Sequence, residues 1–573
     1  MFFYIKIRIY YEWFRCTATF RISRPNPILK ADFRPNAAET PGNPSWITSV
    51  FALFERKSSI LKFFCFNLTE SGEAFDAEGA GVLDSLQGRQ IKYSDFALRS
   101  VRITDSRLRK GFYMENKLTK KYGLFTAIAM VVGIVIGSGV FFKAQTILEK
   151  TNGNMPLGIL AWALGGAIMI ICVLAFSNMA QEYEHVNGIV DYAEATCGKR
   201  YAYYVGWFMS TIYYPTLVSV LAWLSARYTL VFITTVNPSF PLLIPASEGG
   251  CAFGPECLAL MLFYLCAAYA VNALSPILAG KVQTSTTVIK LIPIGLMAVV
   301  GIIYGISTGT LTRNFTSGAH VAPEKIPSNP LLASVCAAAF AYEGWIIATS
   351  INAELKDSKK NLPKALTIGG IIIVSAYIAY YIGVAGGATN QELVDSGSAV
   401  AFVNIFGNVF GNILNLFVAI SCFGTTNGLM LGCTRGIYSL AARGEGPNPK
   451  LFSRIDGETN MPTNSAVLGL LFSAVWGLYF YLANLAGTWT GAFVFDSSEI
   501  PIITIYAMYL PIFVMWMVKH KGMGIGKRFV LPALAICGSL FMVYSAVMAH
   551  KFSVIYYLIV FAAIMLTGKF FKK

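Results

Sequence analysis

The stretch Ile128-Ala-Met-Val-Val-Gly-Ile-Val-Ile-Gly-Ser-Gly-Val-Phe-Phe142 is an apolar run interrupted at Gly137-Ser138-Gly139. A second run, beginning near Leu331, is interrupted by Phe340-Ala-Tyr-Glu-Gly-Trp345. Inside hydrocarbon no water is available to the backbone, so every N–H and C=O must be satisfied within the protein. A helix in that setting is broken only where the freed groups bind something. Two breaks about 200 residues apart, on the order of five spans, mark a chain built from two inverted repeats with a ligand held between them.

The rest of the chain fits that setting. Its 573 residues are 55% hydrophobic and 13% charged, with a mean hydropathy of +0.57. A soluble domain carries about a quarter charged residues. From Gly123 onward apolar runs follow one another, each long enough to cross a core of about 30 Å. Spans are expected near 123–145, 157–180, 203–235, 257–274, 282–305, 330–352, 363–386, 408–440, 464–485, 500–518, 529–549 and 552–569. The fold class that follows is an all-α, polytopic membrane protein of about twelve transmembrane helices, with helices 1 and 6 discontinuous. No early apolar core is followed by a signal-peptide cleavage pattern.

A formal charge of +15 raises the question of a nucleic-acid partner, and position answers it. From Met114 onward there are 28 Lys and Arg; with alternating spans and a cytoplasmic N-terminus, 21 fall on the cytoplasmic side. Lys143, Lys150, Arg313, Lys325 and Lys551 fall outside, and Arg227 and Lys290 lie within spans. This asymmetry is the positive-inside rule. It predicts a multi-pass protein with both termini cytoplasmic, and leaves no role for nucleic acid. Eleven scattered cysteines form no metal-spaced set with histidine, so no metal site is expected. Cys251 and Cys257 share one predicted external loop, where two free thiols are the default and a disulfide the alternative.

Residues 1–113 differ in kind. They carry 17 basic against 11 acidic residues, are rich in aromatics, and hold no sustained helical or strand period. The composition changes at Met114, where a short cytoplasmic lead-in begins. The expectation is that 1–113 is a non-native upstream extension and that translation starts at Met114, with a disordered cytoplasmic tail as the alternative. Residues 114–573 then form one domain: a first repeat over 123–305, a second over 330–519, and two additional helices over 529–569.

Both breaks suggest chemistry. Glycines at 137 and 139 let the backbone leave helical geometry and approach a ligand closely. The half-helix after Ser138 presents unpaired N–H groups and a positive dipole end, suited to a carboxylate. Close helix packing through small residues is the alternative reading. At the second break the half-helix ends in free carbonyls suited to an ammonium group, beside an intramembrane acid, Glu343. A zwitterion fits the pair. The alternative for Glu343 is an ion pair that braces helices. Phe340, Tyr342 and Trp345 can wall a small pocket. Lys290 is the other ionisable group deep in a span; it could brace the first span against the eighth or snorkel to the cytoplasmic face. Arg227, nearer a span end, is expected to snorkel.

With these residues in place, the chain resembles the amino acid/polyamine/organocation (APC) superfamily, and within it the L-type-like amino acid transporters and bacterial permeases. The resemblance covers about 114–573. It rests on Ile136-Gly-Ser-Gly-Val140, on Gly280-Lys-Val-Gln and Val288-Ile-Lys290, and on Phe340-Ala-Tyr-Glu-Gly-Trp345. It also rests on Glu354-Leu-Lys with Asn361-Leu-Pro-Lys-Ala365, and on Arg435-Gly-Ile-Tyr-Ser-Leu-Ala-Ala-Arg443-Gly-Glu-Gly-Pro447. The resemblance implies a five-plus-five inverted repeat and alternating access around a midplane site. It implies that Gly137, Ser138 and Gly139 meet the substrate carboxylate, with Ile136 and Val140 beside them in the substrate-binding segment. The backbone of Phe340, Ala341, Tyr342, Glu343 and Gly344 would meet the amine, and Trp345 completes the substrate-binding segment. Lys290 matches the lysine that stands in for sodium in sodium-independent members. The chain departs from the family pattern at Phe176-Ser-Asn-Met-Ala-Gln-Glu182, at Asn187-Gly188 and at Glu343.

The function this implies is secondary active transport of amino acids across the cell membrane, by sodium-independent exchange or proton symport with Glu343 and Lys290 as coupling candidates. The alternatives are a polyamine or organocation permease and a transporter-like amino acid sensor. No phosphate-binding G-x-x-x-x-G-K-[ST] loop occurs, so ATP-driven transport by this chain is not expected. No H-E-x-x-H and no histidine cluster occur among the four histidines, which argues against an enzyme and against any cofactor. The sequence is silent on a protein partner.

Overall fold

The computed structural model describes residues 122–182, 188–237, 239–240, 254–323, 326–348, 355–485 and 489–572. The chain divides into two units, Met1–Val101 and Arg102–Lys573. The expected extension over 1–113 lies outside the described residues. Apart from one isolated bridge between Tyr122 and Leu355, the described residues carry no β structure.

Among the described residues, eleven helices are long and apolar enough to cross a membrane: Leu124–Lys150, Met155–Glu182, Lys199–Thr234, Pro255–Leu274, Pro276–Thr308, Ser358–Gly387, Ser398–Ala441, Thr463–Leu485, Ile500–Lys519, Gly526–His550 and Ser553–Phe571. A shorter apolar helix, Pro330–Tyr342, takes the sixth place in chain order. Twelve spans are thus accounted for. The fifth span starts at Pro276 rather than 282 and the seventh at Ser358 rather than 363, and the first and eighth also differ from their expected bounds. The first runs to Lys150, so Lys150 lies on the helix rather than beyond its end. The eighth is two helices joined at Gly407, whose φ of 75° breaks the run; its second part begins where position 408 was expected.

Each discontinuous span has two halves. The first consists of α1 (Leu124–Val135) and α2 (Ser138–Lys150). The sixth consists of α3 (Pro330–Tyr342) and the single turn α4 (Trp345–Ala348). α3 starts cleanly: Pro330 occupies a position where a missing N–H costs nothing, and the Asn329 side chain accepts from Leu332 N–H at 3.1 Å. It stops at Glu343-Gly344, where Gly344 takes a φ of 101°, in the region glycine enters at no steric cost.

Close backbone approach sets the packing of the fifth and seventh spans. Gly301-Ile-Ile-Tyr-Gly305 faces Gly383 and Gly386, a small-x-x-x-small pattern that lets membrane helices touch. A Cβ added to Gly383 would lie 1.9 Å from the Met297 carbonyl oxygen. Outward faces are apolar: Val288, Ile303, Val475 and Leu566 are each at least 59% exposed, as lipid contact requires.

Polar side chains tie the ends of spans together. Asn390 donates to the carbonyls of Gly153, Asn314 and Ser317 at 2.7–2.9 Å, and Asn314 donates to Ala385 and Ala388. At the opposite ends Arg443 pairs with Asp191 and with Glu194. Arg227 differs from its expected snorkelling: it is half-buried, with its guanidinium over Phe142, Trp223 and Tyr228. Cys257 is a buried free thiol, its Sγ 3.9 Å from the Trp223 carbonyl; Cys251 lies outside the described residues.

Candidate functional site

At the first break α1 ends in carbonyls that have no helical partner. Side chains from other spans take them up. Lys290, fully buried in the fifth span, donates from Nζ to Gly133 O and Ile136 O, both at 2.6 Å, and to Thr425 Oγ1 at 3.0 Å. Thr425, in the eighth span, donates in turn to Ile136 O at 3.0 Å. Lys290 therefore joins the first, fifth and eighth spans and does not snorkel. The Tyr377 hydroxyl, in the seventh span, lies 3.0 Å from Val135 O and 2.9 Å from Ala341 O. One O–H can serve one acceptor at a time, so Tyr377 sits between the last carbonyls of α1 and α3 and links the two breaks.

The glycines of the first break are needed for contact. A Cβ on Gly137 would lie 2.6 Å from Thr425 Oγ1, and one on Gly139 2.6 Å from Ala341 Cα. Gly139 thus lets α2 lie against α3. The first N–H groups of α2 have no acceptor within their own helix, and they start at this contact.

A narrow cavity lies between the two breaks, lined by Gly137, Gly139, Phe340, Glu343, Val135, Leu217 and Thr425 among others. It is closed down to about the size of one water. Glu343 is 4% exposed and accepts from the Tyr213 hydroxyl at 2.5 Å. The Tyr506 and Tyr509 rings stand near the same carboxyl. No basic side chain pairs with Glu343 among the described residues, so it does not brace helices through an ion pair. Tyr213 ends a five-residue π-helical turn, Met209–Tyr213, in the third span; such turns recur where a helix is reshaped for a site.

Of the residues singled out in the sequence, Gly137, Gly139, Phe340 and Glu343 line the cavity. Ile136 offers its carbonyl to Lys290 and Thr425. Val140 and Ala341 are buried, Ala341 against Gly139 in the α2–α3 contact. The Tyr342 hydroxyl donates to Trp162 O at 3.0 Å, and Trp345 packs against Phe176 and Tyr509, so both rings are directed into neighbouring spans. The Ser138 side chain lies outside the described residues.

A second cavity, lined by Tyr122, Asn272, Gly280, Gln283, Asn427, Arg435 and others, shares Ile134 with the first. It lies toward the ends of spans that carry the Lys- and Arg-rich segments. Away from it, α2 is tied down by charge. Lys143, 3% exposed, pairs with Glu499 at the start of the tenth span, and lies 5.2 Å from the Phe340 ring centroid. Lys150 and His550 approach the same carboxylate at 3.7 and 3.1 Å. Sequence reasoning missed Tyr213, Tyr377, Thr425 and this Glu499 cluster.

The amino acid permease family model matches residues 122–570. The serine/threonine exchanger SteT of Bacillus subtilis (strain 168) is 26% identical over 449 residues, 77% of this chain and 94% of SteT. The Asc-type amino acid transporter 1 of Homo sapiens is 27% identical over 332 residues, 58% of this chain and 61% of the human protein. A crystal structure of MhsT in complex with L-phenylalanine covers 78% of this chain and 100% of its own, at 13% identity and a TM-score of 0.49. The chain belongs to the amino acid permease family: it is a multi-pass membrane transporter of amino acids working by alternating access, not an enzyme.

Proposed function

We propose that the protein exchanges small neutral amino acids across the cell membrane without sodium, with both termini in the cytoplasm. The observation that carries this reading is the oxygen cage around Lys290. Gly133 O, Ile136 O and Thr425 Oγ1 converge within 3.0 Å of one point, an oxygen cluster that attracts a cation. A covalently attached ammonium fills it. The fixed charge orders the first break permanently, where a sodium-coupled carrier orders it only when the ion binds.

The substrate carboxylate then meets the N–H groups that open α2, and the ammonium meets the last carbonyls of α3 with the Glu343 carboxyl beside them. Narrow walls at Leu217, Leu221, Phe340 and Leu429 favour a small side chain, and SteT, which spans nearly the same length, is named for serine and threonine exchange. Among the described residues Glu343 is the only acid lining the cavity, which is too few for a polyamine. The Lys- and Arg-rich span ends support the orientation. The five-plus-five repeat is part of this reading, supported by the two broken spans five apart in chain order.

The test is uptake of labelled serine, threonine and larger amino acids into proteoliposomes of the full chain, with and without internal amino acid and with sodium replaced. Uptake that needs internal amino acid and ignores sodium is the expected result; uptake into empty vesicles, or loss without sodium, refutes it. Glu343 supports a second reading, proton symport, because a buried carboxyl without a basic partner can change protonation during transport. In that case an imposed pH gradient drives uptake into empty vesicles, and Glu343→Gln removes the dependence.

A further inference from the structure

Beyond the cavity, three potential metal ligands from three different elements converge around Glu499. Cys336 Sγ lies 3.7 Å from Glu499 Oε2 and 3.8 Å from His550 Nε2, and Nε2 lies 3.1 Å from Oε2. In a tetrahedral zinc site, with metal–sulfur near 2.3 Å and metal–nitrogen or –oxygen near 2.1 Å, the ligands stand about 3.6 Å apart where sulfur is involved and about 3.4 Å otherwise. The observed triangle needs shifts of only a few tenths of an ångström. Cys336 and Glu499 are buried and His550 is partly exposed, so a cation has a ligand at the surface and two beneath it. We propose that Cys336, Glu499 and His550 form a binding site for a zinc-like divalent cation, and that occupation locks this face of the transporter shut. The locking half rests on the alternating-access reading; the binding half does not.

Two cations and one further acid border the site. Lys143 holds the other carboxylate oxygen, Oε1, and keeps it when metal takes Oε2. Lys150 must leave Oε2; it is 22% exposed, ends α2, and also donates to Ala333 O at 3.3 Å. Asp496 supports the turn by accepting from Glu499 N–H at 3.0 Å, and its charge offsets one lysine. On binding, the cation displaces the thiol proton of Cys336 to water, forming the metal–sulfur bond; His550 coordinates as neutral imidazole through Nε2 with its proton on Nδ1.

Why this would stop transport follows from the helices joined. Cys336 is one turn before Phe340 on α3, on the same helical face, and Phe340 walls the cavity. Glu499 directly precedes the tenth span and His550 ends the eleventh. The cavity opens on this face only if α3 parts from those two spans, and a shared cation forbids that. Metal at about 100 times its Kd favours the bound, closed form about 100-fold, so exchange should slow by about that factor.

The test uses the purified full chain. Titration with Co²⁺ should give a thiolate-to-cobalt absorption band, displaced by Zn²⁺, that disappears in Cys336→Ser and in His550→Ala. In proteoliposomes Zn²⁺ on the side of the cluster should slow exchange by the unaltered protein and leave both variants unaffected. His550→Ala changes a partly exposed helix end and keeps the proposal testable should Cys336→Ser fail to fold. No cobalt–thiolate band, or a band that persists in both variants, overturns the site; binding without slower exchange overturns the lock. Cobalt binding by a chain that exchanges no amino acid leaves the site standing and removes the proposed function instead.

Discussion

Replacing Lys290 with methionine separates its charge from its bulk. The unbranched stem is kept and the ammonium is lost. Gly133 O then has no donor, because the residue four positions on, Gly137, has left the helix; Ile136 O keeps Thr425 at 3.0 Å. A buried acceptor left unsatisfied costs about 1–3 kcal/mol, which is about 5–150-fold in the population of the ordered break. Against this, removing the ammonium also removes the cost of keeping a charge out of water. The expected result is a protein that is made, purified and melts as before but exchanges amino acids about 5–150-fold more slowly. The assay is initial exchange rate in proteoliposomes at equal reconstituted protein, with thermal unfolding alongside. Thr425→Val sets the scale: Ile136 O then keeps Lys290 at 2.6 Å, so the loss should be smaller than for Lys290→Met. Unchanged exchange by Lys290→Met, or a greater loss in Thr425→Val, refutes the role assigned to the ammonium.

Tyr377→Phe removes only the hydroxyl between Val135 O and Ala341 O, a loss of about 1 kcal/mol, and should raise the apparent KM about five-fold in exchange assays; an unchanged KM would show that the link between the breaks does not hold the site. Glu499→Gln leaves the buried Lys143 ammonium without its counter-charge, a cost of about 3–5 kcal/mol to the closed arrangement. In a background lacking the other cysteines, maleimide labelling of Cys336 should accelerate, and an unaltered rate would mean that the Lys143–Glu499 pair does not hold this face closed. Gly383→Ala places a Cβ 1.9 Å from Met297 O, so the fifth and seventh spans must separate; overpacking of this kind costs about 1–3 kcal/mol and should lower the melting temperature of the purified protein, whereas an unchanged melt would show that the contact is loose.

Much of the fold was legible because membrane spans are local signals. An apolar run announces itself without reference to the rest of the chain, and so does a glycine pair that interrupts one. Gly407 illustrates this: the run that follows it was expected to start at 408, and its positive φ is where the helix breaks. The end of the first span is a different case: it was expected at 145, with Lys143 and Lys150 counted among the external charges. A lysine in hydrocarbon is costly when alone, and that bears on Lys143, which the fold buries. It is not alone; its partner, Glu499, is 356 residues away, and no local pattern carries that distance.

The site divides along the same line. Gly137, Gly139 and Glu343 stood out because each violates the helical apolar pattern at its own position. Tyr377 did not, since Tyr377, Tyr380 and Tyr381 lie together in one apolar run and only the fold selects the one whose hydroxyl reaches both breaks. Tyr213 was hidden in the same way, in a span where nothing in the sequence marks the π-helical turn. Glu499, directly before Ile500-Pro501, resembled the ordinary acid at a helix N-terminus, and the search for metal ligands by spacing passed over it because Cys336 and His550 are 163 and 51 residues from it. What sequence shows of such a site is where the backbone must leave its helix; what it hides is which distant side chains meet the groups thereby released. In a bundle where every freed carbonyl needs a donor, those hidden donors, Lys290, Thr425 and Tyr377, are a physical necessity of the two breaks, and their number could be anticipated before their identity.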